Sequence, residues 1–163
     1  MWSTERVDVV DENDRVLRTA ARSDVSDAEI LRVAVVFIRT SDEKILLQLR
    51  SKNAHRYPSH WDCAAGGHVS TGESYAQAAK RELEEELGIA CSLEHLGTHL
   101  ITLSDGRRHH CAFFIGEHDG PYTMLEDELD EVCAFTSDEV RTMIETEPFH
   151  PECRFGLAEY VLQ

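Results

Sequence analysis

The sequence predicts an α/β domain in which a mixed β-sheet carries helices packed on it. Short runs rich in β-branched and aliphatic residues recur at Leu31–Ile38, Ile45–Leu49 and Cys111–Gly116, as buried strands require. Between them lies one segment of helical length and 3.6-residue periodicity, Ser74–Leu87. Strands and helices do not alternate in the regular βαβ manner, so the sheet should be mixed and not purely parallel. The 163 residues fit a single domain spanning 1–163, long enough to bury a sizeable core.

Taken in order, residues 1–28 read as an N-terminal arm. Within it Val7–Arg18 is extended and turns at Asp11-Glu12-Asn13-Asp14. Leu31–Ile38 and Ile45–Leu49 flank the turn Ser41-Asp42-Glu43 and should pair as a hairpin. The polar stretch Ser51–His60, with Pro58, reads as a loop, and Cys63–Ala65 as a short strand before Gly66-Gly67. The helix Ser74–Leu87 stops at Gly88. Further strands are expected near Leu100–Leu103, Cys111–Gly116 and Glu131–Phe135. Ser137 should cap a helix reaching about Glu145, and Pro151 should open a last helix ending near Leu162.

The formal net charge is −15. Such a field opposes binding to a nucleic-acid backbone or an anionic membrane. A phosphorylated small molecule is still admitted, provided a metal ion or a local basic group meets it. No apolar run reaches 18 residues, so no membrane-spanning helix is expected. The charged start Met1-Trp2-Ser3-Thr4-Glu5-Arg6 lacks the apolar core of a signal peptide. Five cysteines, Cys63, Cys91, Cys111, Cys133 and Cys153, form no C-x-x-C pair. Reduced, mostly buried thiols and a cytoplasmic location are the expectation.

The chemistry concentrates on the Ser74–Leu87 helix. With Glu82 at the origin of a helical wheel, Glu85 falls about 60° to one side and Glu86 about 40° to the other. Ala76, Ala79, Leu83 and Leu87 form a neighbouring apolar stripe that would dock on the sheet. Glu84 points away, and Arg81 stands four residues before Glu85, where it can hold that carboxylate. Three carboxylates on one face repel each other, and a hard divalent cation removes the repulsion. A glutamate-rich surface helix would account for Arg81–Glu86 taken alone.

The flanking residues set it apart. From Gly67 the chain runs through five residues to Glu73, seven more to Arg81-Glu82-Leu83, one to Glu85-Glu86 and one to Gly88-Ile89. This 23-residue pattern resembles the Nudix box at all nine constrained positions, Gly67–Ile89, and the order of strands and loops is similar to the Nudix fold over most of the chain. Trp61–Ser74 and Glu5–Val10 look most like the isopentenyl-diphosphate-isomerase-like branch. The resemblance implies a mixed sheet sandwiched between helices, and Mg²⁺-dependent hydrolysis of a diphosphate linkage in a nucleoside di- or triphosphate or a related compound, with Mn²⁺ as a substitute ion. It implies that Glu82, Glu85, Glu86 and the carbonyl of Gly66 bind metal. Arg81 orients Glu85, Glu73 ties the loop to the helix, and Glu128, from Glu126-Asp127-Glu128, is the residue chosen as general base; a box glutamate is the alternative.

Two other readings accompany it. The isomerase requires a cysteine where Gly66 stands and a histidine where Arg32 stands; of its marks only His68 is present. A non-catalytic Nudix module that binds a nucleotide would be expected to lose box carboxylates, and here all are kept. Outside the box, Arg50 and Lys52, with Arg56 behind them, are candidates for contacting substrate phosphates. Arg107-Arg108-His109-His110 is a second basic cluster, which reads as part of a hairpin turn or as facing the ligand. Trp61, Phe113, Phe114 and Tyr122 read as core, or as stacking residues. Histidines 95 and 99 run into a strand and do not form a zinc pair. Marks shown by many of the family's ADP-ribose and coenzyme A hydrolases are absent. The acidic surface and the arm are compatible with a homodimer.

Overall fold

The computed structural model describes residues 5–124 and 127–163. Residues 1–4, which contain most of the charged start, and Glu126 of the acidic stretch lie outside the described residues. The arm is a hairpin of β1 (Arg6–Val10) and β2 (Val16–Ala21). Its turn is where Asp11 was expected to place it: the Asp11 carboxylate accepts from the backbone N–H groups of Asn13 and Arg15 at 2.8 and 2.9 Å. The hairpin is anchored. Val7 and Val9 pack with Leu31, and Arg32 reaches back to Asp14 at 2.7 Å.

The main sheet contains β3 (Leu31–Arg39), β4 (Ile45–Arg50), β5 (Trp61–Asp62), β6 (Ala65–His68), β7 (Glu94–Thr102), β8 (Arg108–Glu117) and β9 (Leu129–Phe135). It is mixed: β8 runs parallel to β3, and the other pairs are antiparallel. One edge of β3 is taken along its length by β8. The other edge is shared. Ile38 and Arg39 pair with β4, whereas Val33–Val36 pair with β6. One edge of β4 is paired along its length with β9; beyond Leu46 the other diverges from β3 and takes β5. The sheet therefore splits into two halves that part beside the first half of β3.

Period-two alternation sorts β3 onto two faces. Ala34, Val36 and Ile38 join Ala78, Ala79, Leu83 and Leu87 of helix α1 (Tyr75–Leu87) in one core. Val33, Val35 and Phe37 join Val140 of α2 (Ser137–Thr146) and Cys153 of α3 (Pro151–Gly156) in another. Helices thus cover both faces.

Several element bounds differ from expectation. The strand placed at Cys63–Ala65 is two strands, β5 and β6, and the second runs through Gly66 and Gly67. The strand β7 begins at Glu94, because its polar residues face outward on an edge and leave no apolar run to read. Thr136, not Ser137, caps α2, accepting from Glu139 N–H at 3.2 Å. Pro151 does open α3, but the last helix does not continue uniformly to Leu162: its backbone widens to a π-helical turn over Leu157–Val161. On α1, Ala76 is exposed and Ala78 is buried in its place, in the same core as Val69.

Candidate active site

Local chemistry fixes both ends of α1. Ser74 Oγ accepts from Gln77 N–H at 3.1 Å while the Gln77 side chain accepts from Ser74 N–H at 2.8 Å, a reciprocal cap. Gly88 ends the helix at φ 65°, a left-handed conformation open to glycine, and its N–H donates to Glu84 at 2.9 Å. Glu82 and Glu86, in the second half of α1, lie against β6.

The strand under it has no side chains at Gly66 and Gly67, and this lets the carboxylates approach the backbone. Gly66 N–H donates to Glu86 Oε2 at 2.8 Å. A β-carbon on Gly67 would collide with the Glu82 carboxylate. Glu85 is turned outward and is more than half exposed. Glu84 is exposed on another side.

Arg81 binds more than the one glutamate foreseen for it. Its Nε and Nη2 form a two-point contact with Glu73 at 2.7 and 2.9 Å. Its Nη1 donates to Glu82 at 2.8 Å and to Glu85 at 3.2 Å, and Nη2 also reaches the carbonyl of His68 at 3.1 Å. Glu73 in turn accepts from Ser70 N–H at 3.0 Å. One guanidinium thus joins loop, strand and helix.

The electrostatics are costly without a further cation. Burial raises Glu82 to about 7 despite the pull of Arg81, and the like charge of Glu85 adds to the rise. Burial also pushes Glu86 well above the usual carboxylate range; Glu82 reinforces this, and the Gly66 N–H offsets only part. Among the described residues no three His, Cys, Asp or Glu side chains stand converged as an ion cage, because each box carboxylate is turned to a protein donor. The donor set still fits a hard divalent ion: three carboxylates on adjacent turns, two of them desolvated, with one arginine for compensation.

A cavity of about 490 Å³ opens where the half-sheets part. Glu86, Gly66 and Gly67 form one wall, Gln48, Arg50 and Asp62 another, and His109 and Glu152 a third. Arg50 lines it with its guanidinium held by Asp62 at 3.2 Å and by the carbonyl of Arg56 at 3.0 Å. Lys52 is exposed and is not part of the wall; its backbone N–H binds Asp130 at 3.0 Å. Glu128 is exposed as well, yet its charge is among those felt at Glu86. Arg107 and His109 line the cavity although they border the β7–β8 turn, whereas Arg108 binds Glu12 and His110 the carbonyl of Asp11 on the hairpin. Arg32 is committed to Asp14 and Asp8 on the hairpin.

The sequence reading did not single out Arg22, Gln48, Asp62, His150 or Glu152, which also line the cavity. Gln48 carried a signal, as a lone polar residue inside the aliphatic strand ILLQLR that ends up 3% exposed. His68 is deeply set: burial, then the neighbouring His109, lowers it to about 3, so its imidazole is neutral.

A carboxylate-bearing helix laid over a glycine strand at the wall of a split mixed sheet defines the class: a Nudix-fold hydrolase. The model of the NUDIX domain family matches residues 29–154, and the chain belongs to that family as an enzyme of the Nudix pyrophosphohydrolase type. It is 37% identical over 142 residues to the uncharacterised Nudix hydrolase YfcD of Escherichia coli K12, covering 85% of this chain and 77% of that one. It is 35% identical over 123 residues to the uncharacterised Nudix hydrolase PA4841 of Pseudomonas aeruginosa, covering 75% and 73%. Among solved structures, DR0079 of Deinococcus radiodurans superposes with a TM-score of 0.79 at 25% identity over 96% of this chain and 97% of that one. The NUDIX domain of Shewanella oneidensis NrtR, solved with ADP-ribose, gives 0.65 at 17% identity over 85% and 89%, a likeness of fold. No helix among the described residues is long and apolar enough to cross a membrane.

Proposed function

We propose that the enzyme hydrolyses a diphosphate linkage in a nucleoside di- or triphosphate, or a related nucleoside diphosphate-linked compound, using Mg²⁺, with Mn²⁺ as a substitute. The observation that carries this reading is the burial of Glu82 and Glu86 against the bare backbone of Gly66-Gly67 at a cavity wall. Glu82, Glu85, Glu86 and the Gly66 carbonyl would hold the ion. Once bound, such an ion lowers the pKa of the attacking water and offsets charge on the departing phosphate.

The chain's own groups position and deprotonate. Arg81 fixes Glu82 and Glu85 and anchors them to Glu73. Arg50, on the cavity wall, is the better placed of the two basic candidates for the substrate phosphates. Glu128 takes the proton of the attacking water in this reading, supported by its electrostatic reach to Glu86. Gly66 argues for hydrolysis over isomerisation: it stands where the isomerase needs a cysteine, and a β-carbon there would lie 2.9 Å from the carbonyl oxygen of Ala34, so the local backbone would have to shift to take one. A cytoplasmic location is proposed alongside, from five cysteines in no disulfide, and a homodimeric state, with which the acidic surface and the arm are compatible; sedimentation of the purified chain tests the dimer.

The deciding measurement is product release from a panel of nucleoside diphosphate-linked compounds with Mg²⁺, using wild type, Glu85→Gln and Glu86→Gln. Both variants should stay folded and lose more than about a hundredfold in turnover. Wild-type turnover of either variant at saturating Mg²⁺ would overturn the site. Tight binding of one compound with no release from any would point to the non-catalytic module.

A further inference from the structure

Away from Glu86 the cavity changes sign. Arg22, Arg56 and Arg107 line its other end. Asp105 Oδ2 lies 3.2 Å from Arg56 Nη1 and 2.9 Å from Arg107 Nε, so one carboxylate oxygen gathers two guanidiniums. Arg56 Nη2 also reaches Asp27 at 3.1 Å. Arg107 is 7% exposed. The guanidiniums line the cavity even though their partners Asp27 and Asp105 lie at the surface. Burial, then Arg107 and Arg56, lower the pKa of Arg22, while Asp27 and Glu5 oppose the shift.

Strand β3 serves as a ruler between the two ends. Gly66, which holds Glu86, is level with Val35; His68 is level with Val33; His109 is level with Leu31. Arg107 lies two residues before His109. Four strand residues already span about 13 Å to His109, too far for the two phosphorus centres of one diphosphate to occupy both ends. His68 Nε2, level with Val33 between the two ends, and Gln48 Oε1 on the β4 wall are buried with no hydrogen-bond partner among the described residues. Buried polar atoms are normally satisfied, so these two ask for polar groups on whatever fills the middle.

We infer that the arginine end is a second anion subsite, and that the substrate carries a phosphate or carboxylate more than about 10 Å from its scissile diphosphate, met by Arg22, Arg56 and Arg107. This rests on the diphosphate reading above and narrows it to substrates anionic at both ends with a polar middle. Planar, forked guanidiniums suit either oxyanion.

The test uses inorganic phosphate and succinate as separate probes, with EDTA present so that no metal recruits them to the box. Arginine Nε–H resonances are followed by NMR. Saturable shifts at Arg22, Arg56 and Arg107 are expected, with binding weakened about tenfold or more by Arg56→Gln or Arg107→Gln and unchanged in Glu85→Gln. The probe that binds more tightly identifies the anion as phosphate or carboxylate. Arg56→Gln, at a partly exposed position, covers the case in which Arg107→Gln fails to fold. Absence of saturable binding by both probes, or binding that survives Arg56→Gln, overturns the inference. Hydrolysis of the compound panel without anion binding would sink this inference alone. Anion binding with no hydrolysis of any compound would sink the diphosphate reading and leave the subsite standing.

Discussion

His109 Nδ1 lies 2.6 Å from Glu152 Oε1, with both side chains under a tenth exposed. The pair joins β8 to α3 on the cavity wall across from the box helix. Burial by itself would raise the Glu152 carboxyl, but its hydrogen bond to His109 and the charges of His109 and His150 outweigh that and hold it at about 2.

Removing the carboxylate with Glu152→Ala leaves a buried imidazole without its acceptor, and should cost about 3 kcal/mol in urea unfolding near neutral pH. The pH dependence has a definite sign. The folded pKa is depressed below the ordinary carboxylate value, so the stabilisation is present above about pH 4.5 and is lost as pH falls toward 2. The gap between wild type and variant should close over that window. A gap that is constant down to pH 2 would contradict the assigned ionisation.

Arg81→Lys keeps one positive charge but loses the fork that grips Glu73 at two points while touching Glu82 and Glu85. The expected result is a loss of about 10- to 100-fold in apparent Mg²⁺ affinity or turnover, seen as a rightward shift when product release is titrated with Mg²⁺. An unchanged titration would mean that Arg81 only braces the loop.

Glu82 gives opposite pH slopes to folding and to metal binding. Its folded pKa of about 7 lies above the ordinary value, so the metal-free protein takes up a proton on folding and loses stability as pH rises from about 4.5 to 7. A cation competes with that proton. Its apparent affinity should therefore rise between about pH 6 and pH 8, approaching tenfold per unit while one proton is displaced. The Mg²⁺-induced rise in unfolding midpoint, measured across that range, reports it. A rise that does not vary with pH would remove Glu82 from the proposed ligands.

The box helix was legible because all of its determinants are local. Ser74, Gln77 and Gly88 set its ends, and the i, i+3, i+4 spacing of Glu82, Glu85 and Glu86 sets its face. What local pattern did not carry was depth. The wheel put three carboxylates together but gave no sign that Glu82 and Glu86 would be desolvated and Glu85 exposed, since that depends on Gly66 and Gly67 of β6 lying beneath them. The rest of the cavity depends on long-range register. Arg22, Gln48 and Glu152 come from the end of the hairpin, a central strand and the last helix, and nothing near any of them in sequence announces a shared wall. Lys52 illustrates the converse: it sits two residues beyond Arg50, yet the chain has left the strand by then and the side chain turns outward.

The shared edge of β3 has a consequence for how such an enzyme changes. The opening exists because two partners, β4 and β6, take successive stretches of one strand, and main-chain hydrogen bonds hold that gap whatever side chains project into it. The wall is thus free to vary in sequence without the cleft collapsing. Lineages that keep the glycine strand and its acidic helix can exchange lining residues one at a time, acquire new clients and retain a working hydrolytic centre throughout.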